Sequence, residues 1–91
     1  MRAVLVIDMI KDFVTGKLGF PKAREIIPNI KTVLEAARKA GYPVIYICDA
    51  HRPGDPELAV WGEHAMDGTE GSQVVDELAP QPGDAVLKKH T

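Results

Sequence analysis

Residues 2–7 read RAVLVI, an apolar and β-branched stretch in which polar and apolar positions do not alternate. Such a run is typical of a strand buried on both faces, as in a parallel sheet. The same pattern returns in PVIYIC at residues 43–48, and DAVLKK at residues 84–89 begins a third segment of this kind. The sequence therefore predicts an α/β fold with three parallel strands.

The segment between the first two strands predicts an amphipathic helix. Apolar side chains recur there at helical spacing, namely at Ile30, Val33, Leu34 and Ala37. Pro28 is tolerated in a first helical turn, and Gly41 suits the left-handed residue that ends a helix. One further turn is expected at residues 23–27. A strand–helix–strand order with short links predicts a right-handed parallel unit.

Glycine and proline residues divide the rest of the chain. Residues 9–22 predict one loop, and residues 49–71, with six glycines and prolines, predict a second that is long enough to suggest a function. Residues 72–78 predict a short helix that ends before Pro80. In open parallel sheets, active sites lie off the carboxyl ends of the strands, so the residues after each strand are the candidates.

Composition limits the classes of function. The 91 residues, 45% hydrophobic and 26% charged, suit one small globular domain or part of a larger one. A net charge of −2 without a basic cluster argues against a nucleic-acid partner, and no run approaches the roughly 20 apolar residues of a membrane helix. The single cysteine, Cys48, excludes an internal disulfide and fits a reducing cytoplasm.

Charged side chains follow each predicted strand. Asp8 ends the first strand, Asp49 and His51 follow the second, and Lys88 and Lys89 end the third. Because the carboxyl ends of parallel strands lie at one edge of a sheet, these groups are expected to meet there. The sequence thus predicts an active site at that edge.

Two of these positions are candidates for catalysis. A partly desolvated carboxylate at Asp8 suits proton transfer, although an aspartate there can equally cap a helix or anchor a loop. A lysine at the same edge can lower the pKa of a thiol or stabilise an anion, and alternation along the strand cannot choose between Lys88 and Lys89. Asp12 is predicted to form a local turn, and Phe13 to form a wall of the pocket or of the core.

A metal site is a further possibility. One carboxylate and two imidazoles, from Asp49, His51 and His64, can hold a divalent ion with open coordination positions, although loop histidines are more often plain surface groups. Cys48 is predicted to pack as a small hydrophobic residue and not to act as a nucleophile. Trp61 is either a loop anchor or a wall for a flat substrate.

Three segments together resemble the isochorismatase-like hydrolases, a family that includes the nicotinamidases. The opening VLVIDMIKDF resembles the family's first strand, which ends in an aspartate followed by a D-F pair. The middle D-A-H, then W-G-E-H-A-M-D-G-T-E-G-S, is similar to the nicotinamidase pattern D-x-H … W-x-x-H-C-V-x-G-T-x-G-A, and the closing VLKKHT resembles a strand that precedes Y-S-x-F. The resemblance implies a three-layer α/β/α doubly wound parallel sheet whose first three strands are present. Residues 1–91 would then form the N-terminal half of one domain.

The resemblance also implies roles for individual residues. The family's triad of Asp, Lys and Cys places the aspartate at Asp8 and the lysine at Lys89, with Lys88 as the fallback, and the cysteine would lie beyond residue 91. The positions of a divalent metal such as zinc, iron or manganese fall on Asp49, His51 and His64. A further histidine of some nicotinamidase loops has no counterpart at residues 54–57.

The predicted function is hydrolysis of the C–N bond of a small amide, with Phe13 and Trp61 in contact with the substrate. These residues alone are expected to be inactive. One alternative from the same family is the cleavage of a vinyl ether, as in isochorismatases, which needs no cysteine. Another is a non-catalytic assembly or binding module, because an open edge at the first strand invites pairing with another chain. A homo-oligomer, or a second chain that completes the fold, is the expected protein partner.

Overall fold

Three parallel strands form the centre of the molecule. The computed structural model describes residues 2–16 and 18–90, so the two ends of the predicted domain lie outside the described residues. The strands are β1 (Val4–Ile7), β2 (Val44–Asp49) and β3 (Ala85–Lys89), and they form one sheet in the order β1-β2-β3. Both pairs of neighbouring strands are parallel, which confirms the predicted strands and their direction.

Helices and tight turns fill the described connections. The α-helices are α1 (Lys11–Val14), α2 (Pro21–Glu25), α3 (Ile27–Lys39) and α4 (Glu57–Trp61), and two 3-10 turns span Glu70–Ser72 and Asp76–Leu78. Among the helices of residues 2–16 and 18–90, none has both the length and the apolar character that crossing a bilayer requires.

The predicted amphipathic helix is α3. Pro28 lies in its first turn, and Gly41 follows its end with a φ of +80°, a conformation that glycine adopts without strain. Leu34 and Ala37 are buried as predicted. Val33, which was expected on the same apolar face, is 53% exposed because it lies beside the outer edge of β1.

Two of the predicted loops contain helices. The prediction of a loop at residues 9–22 is wrong, because α1 and the start of α2 lie there. The N–H of Lys11 donates to the carbonyl of Gln73 at 2.9 Å, so tertiary contacts stabilise α1 although it is too short to form alone. In the same way, α4 interrupts the long loop predicted at residues 49–71.

The prediction of a helix at residues 72–78 is also wrong. The two 3-10 turns stand at its ends, and between them Val74 forms an antiparallel bridge with Ile10. The N–H of Val75 also donates to the carbonyl of Met9 at 3.0 Å. These pairings with the residues that follow β1 hold the middle of the segment in an extended conformation.

One face of the sheet, which we call the helix-covered face, carries the core. Alternation along the strands places Val6, Val44, Tyr46 and Cys48 on this face, and all four are buried. They belong to one apolar cluster with Leu34 and Ala37 of α3. Burial of each large aliphatic side chain contributes about 1.5–3 kcal/mol, so this layer supplies much of the stability.

The opposite face, which we call the open face, has no helix over it in the described part of the chain. The apolar residues on the open face alternate along the strands with those of the helix-covered face. They are Leu5, Ile7, Ile45, Ile47 and Leu87. Leu5, Ile7 and Leu87 are 52%, 54% and 55% exposed. The parallel α/β class is therefore confirmed, while the described residues build two of the three expected layers. The strand order also shows no reversal within them.

A partly buried ion pair joins α3 to the start of β3. Nη2 of Arg38 donates to Oδ2 of Asp84 at 2.6 Å and to the hydroxyl of Tyr46 at 2.9 Å. The Tyr46 hydroxyl in turn donates to the carbonyl of Leu78 at 2.7 Å. The Asp84 side chain is only 7% exposed, and its hydrogen bond with Arg38 lowers the pKa of its carboxyl.

We expect Asp84→Asn to lower the free energy of unfolding by about 1–3 kcal/mol at pH 7, because a charge-assisted hydrogen bond is weakened. The lowered pKa means that the pair stabilises the fold above the ordinary aspartate pKa of about 3.9, and that this contribution is lost as the pH falls through the folded value. Urea unfolding at several pH values measures both effects. Equal stability of the variant and the parent at pH 7 would contradict this reading of the pair.

Candidate active site

Asp8 is held at the carboxyl end of β1 in an unusual backbone conformation. Its φ of +58° lies in the left-handed region, which aspartate tolerates better than most residues. Its N–H donates to the carbonyl of Ile47 at 2.8 Å, and its Oδ1 accepts the N–H of Asp49 at 3.0 Å. The turn thus directs the carboxylate of Asp8 toward the end of the neighbouring strand.

Lys89 brings its ammonium group to this carboxylate. The parallel register places Asp49 directly opposite Lys89, and Nζ of Lys89 lies 2.9 Å from Oδ1 of Asp49 and 2.9 Å from Oδ2 of Asp8. Burial acts to lower the pKa of Lys89, but hydrogen bonds to Asp49 and Asp8 outweigh it and raise the pKa above its ordinary value. The group is therefore a permanent cation at neutral pH, shared by two carboxylates.

The register also separates the two candidate lysines. Lys88 lies opposite Cys48 and points to the other face of the sheet, where its Nζ contacts Oδ1 of Asp67 at 2.9 Å. Only Lys89 contacts Asp8. The geometry thus brings Lys89, and not Lys88, to the carboxylate of Asp8, and the catalytic role of Lys89 stays a prediction.

The candidate histidines lie next to this cluster. His51 is 1% exposed and His64 is 4% exposed, and their rings meet edge to face with centroids 4.7 Å apart. Nδ1 of His64 donates to the carbonyl of Gly62 at 2.8 Å. The alternative reading, in which both residues are plain surface groups, is therefore excluded by their burial.

Asp55 is a site residue that the sequence did not reveal. Its Oδ2 lies 2.9 Å from Nδ1 of His51, and its side chain is 6% exposed. It stands within residues 54–57, where a further histidine of some nicotinamidases was expected and found missing. The only signal was a four-residue spacing across the Pro53-Gly54 turn, which is too common to identify a buried pair.

A divalent metal ion does not fit the side chains as they are placed. The donor set of Asp49, His51 and His64 has suitable chemistry, and Asp55 orients His51 in the way that carboxylates support metal-bound imidazoles. However, the Lys89 cation already lies on the carboxylate of Asp49. Within residues 2–16 and 18–90, no three His, Cys, Asp or Glu side chains are placed to hold an ion. The placed side chains therefore favour the Lys89 cation over a metal ion at Asp49, and the proposed reaction uses no metal.

An apolar cleft of about 470 Å³ opens beside Asp8. Phe13 lines it, and the Phe13 ring lies 5.9 Å from that of His64, so this residue forms both a cleft wall and a contact with the core. Trp61 stands at the end of α4 and is 63% exposed. It is not among the described residues that line the cleft, and its contact with substrate stays a prediction.

Cys48 packs in the core, as predicted. It is 4% exposed on the helix-covered face, and burial raises the pKa of its thiol. Asp49 and Lys89 lie at positions of opposite parity, on the same side as the open face. The environment of Cys48 is therefore the reverse of what a nucleophilic thiol requires.

Comparison with known proteins identifies the family. The family model described as the isochorismatase domain matches residues 2–91. The chain belongs to the isochorismatase family. A secreted isochorismatase effector of Verticillium dahliae is 30% identical over 87 residues, which cover 96% of this chain and 42% of that protein.

Solved structures of family members match the fold closely. The N-carbamoylsarcosine amidase of Thermoplasma acidophilum is 44% identical, with a TM-score of 0.93 over 98% of this chain and 51% of its own. The nicotinamidase of Bacillus subtilis is 28% identical, with a TM-score of 0.83 over 97% of this chain and 55% of its own. The chain therefore spans about half the length of these relatives.

A third solved structure bears on the metal. The pyrazinamidase of Pyrococcus horikoshii was solved in complex with zinc and has a TM-score of 0.88 over 98% of this chain and 51% of its own. At 23% identity, the likeness concerns the fold alone. A divalent ion is thus known in a protein of the same fold.

We expect zinc to show no saturable 1:1 binding to this protein, because Lys89 competes with the ion for Asp49. Lys89→Met should increase zinc affinity by roughly tenfold or more, equal to about 1.4 kcal/mol. Calorimetric titration measures the zinc affinity. Lys88→Met is the matched control, because it removes an ammonium group that does not contact Asp49. Saturable binding to the parent, left unchanged by Lys89→Met, would contradict the competition.

Proposed function

We propose that the complete domain to which these residues belong is a cysteine hydrolase that cleaves the C–N bond of a small amide. The observation that supports it is the cluster of Asp8, Asp49 and Lys89, in which one ammonium group lies 2.9 Å from two carboxylates at the strand ends. Its cleft is apolar on the side of Phe13, which suits a small uncharged substrate. The 44% identity with an amidase supports the same reaction class.

The nucleophile would come from the part of the domain outside these 91 residues. In the proposed reaction, Asp8 accepts the proton of the cysteine thiol, and Lys89 stabilises the resulting thiolate. The thiolate sulfur bonds to the amide carbon, and Asp8 returns the proton to the nitrogen as the C–N bond breaks, which releases ammonia or an amine. Asp8 then takes a proton from water, and the hydroxide oxygen bonds to the thioester carbon as the C–S bond breaks. The carboxylic acid product leaves, and the cysteine sulfur regains its proton from Asp8.

Asp49 has a supporting role in this proposal. Its Oδ1 binds the ammonium of Lys89, and its N–H donates to Asp8, so it orients both reacting groups. Without Asp49, Lys89 would keep a single carboxylate partner and more rotational freedom. The arrangement places the two groups before substrate binds, which lowers the entropic cost of reaching the transition state.

A vinyl-ether hydrolase is the alternative within the same family. It would use Asp8 as the proton donor and would need no cysteine. The cluster suits the amide reaction better, because Lys89 is a cation beside Asp8 and would stabilise an adjacent thiolate. The residue at the nucleophile position in the second half of the domain distinguishes the two reactions.

In the complete gene product, we expect Asp8→Asn to reduce the rate of ammonia release from small amides by about 10²–10⁴-fold, the range for loss of a general acid–base group. Lys89→Ala should reduce it to a similar degree, whereas Lys88→Ala should leave it within about twofold. A coupled assay of ammonia over a panel of amides measures the rates. If Asp8→Asn retains the parent rate, the assignment of this residue is wrong.

The open face favours a second role, in assembly. An apolar sheet face with three large side chains about half exposed is unfavourable in water, and the outer edge of β1 has no strand partner among the described residues. We infer that further polypeptide, from a second chain or from the remaining half of the domain, covers the open face and pairs with the free edge of β1. A homo-oligomer is one form of this proposal.

Residues 1–91 expressed alone should therefore self-associate. Leu5→Glu, which places a charge on the open face in the edge strand β1, should shift the population toward monomer. Val60→Glu, on the exposed surface of α4, is the matched control and should have no effect. Sedimentation velocity measures the distribution, and a monodisperse parent monomer would count against an interface at this face.

A further inference from the structure

Asp12 makes a contact that its position in α1 does not suggest. Its Oδ2 accepts the N–H of Ala65 at 2.7 Å, across 53 residues of sequence. Asp12 was predicted to form a local turn, and the structure shows that its side chain makes a long-range contact instead. The bond is partly buried, so the carboxylate holds a distant backbone segment against α1.

Ala65 is in a backbone conformation that needs such support. Its φ is +46°, and the residue is fully buried. A left-handed conformation is unfavourable for alanine, because the Cβ atom crowds the following carbonyl oxygen. Such a conformation persists only where neighbouring groups stabilise it. The Asp12 carboxylate is such a group, because it accepts the N–H of Ala65.

The conformation of Ala65 places the two buried histidines. The carbonyl of Ala65 accepts the N–H of His51 at 2.8 Å, and the carbonyl of His51 accepts the N–H of Asp67 at 2.8 Å. His64, the residue before Ala65, thereby lies with its ring edge-on to that of His51. A change in φ at Ala65 would rotate His64 away and break the pairing with His51.

Gly71 explains why the Asp12 carboxylate can lie where it does. A Cβ atom at Gly71 would overlap the Oδ and Cγ atoms of Asp12. The second glycine of the G-T-E-G segment thus leaves the space that the carboxylate occupies. Two separate sequence segments, W-G-E-H-A and G-T-E-G, therefore meet at one side chain.

We propose that Asp12 is the positioning residue of the His51–His64 pair. By accepting the N–H of Ala65, it keeps this residue left-handed and so fixes both imidazoles beside the Asp8–Asp49–Lys89 cluster. The role concerns the placement of the rings and does not depend on which reaction the site performs. It goes beyond the proposed hydrolase, which assigns no function to Asp12.

The test is NMR spectroscopy of the protein at one fixed pH. Asp12→Ala should shift the ring resonances of His51 and His64 and speed the exchange of the Ala65 amide by roughly tenfold or more. Asp12→Asn should change both much less, because the side-chain amide oxygen can still accept the bond. Glu35→Ala, which removes an exposed carboxylate from α3, is the control and should change neither.

A rescue variant keeps the test decisive if Asp12→Ala perturbs the fold. Glycine adopts a positive φ without strain, so Ala65→Gly added to Asp12→Ala should restore the ring resonances toward those of the parent. Gly71→Ala should reproduce the effect of Asp12→Ala, because it displaces the carboxylate. The proposal is overturned if Asp12→Ala leaves the rings and the Ala65 amide unchanged. It is equally overturned if Asp12→Asn is as damaging as Asp12→Ala and Ala65→Gly gives no rescue.

Discussion

The parallel register of β2 and β3 is the constraint on which the site depends. It sets Asp49 opposite Lys89, and the left-handed turn at Asp8 then brings a second carboxylate to the same ammonium group. Two carboxylates this close repel each other unless a cation lies between them, so the position of Lys89 decides whether the strand ends can meet. A shift of one residue in β3 would place Lys88 there and turn every side chain of that strand to the other face. The register that buries the core side chains therefore also fixes the geometry of the site.

The regular part of the fold could be predicted because its causes are local. Apolar stretches of strand length identify β1, β2 and β3, and the spacing of apolar residues together with Gly41 identifies α3. The short helices could not be predicted, because their stability comes from elsewhere in the chain. Four residues of α1 are helical partly because Lys11 binds the carbonyl of Gln73, a contact that no local pattern contains. The helix predicted at residues 72–78 does not form for the same reason, because Val74 pairs with the distant Ile10.

The site divides in a similar way. Asp8, Asp49 and Lys89 could be proposed from the sequence because each follows a strand, and strand ends are where a parallel sheet brings side chains together. The resemblance preferred Lys89 to Lys88, and the register shows that Lys89 is the lysine that contacts Asp8. Asp55 and Asp12 could not be found, since their partners lie across loops whose path depends on left-handed residues and on space left by a glycine. Charges at strand ends can thus be predicted, whereas the loop residues that orient them cannot.

The open face links the site to the stability of the fold. Asp49 and Lys89 have the same parity as Ile45, Ile47 and Leu87, so the charged cluster is the carboxyl end of that apolar face. Polypeptide that covered the face would bury aliphatic side chains and would also close the space beside the cluster to water. Exclusion of water strengthens the interactions of Lys89 with its carboxylates, because charges interact more strongly at low dielectric constant. In the proposed hydrolase, the surface that contributes the missing burial would then also be the surface that delivers the nucleophile, so that folding of the second half and assembly of the site would be a single event.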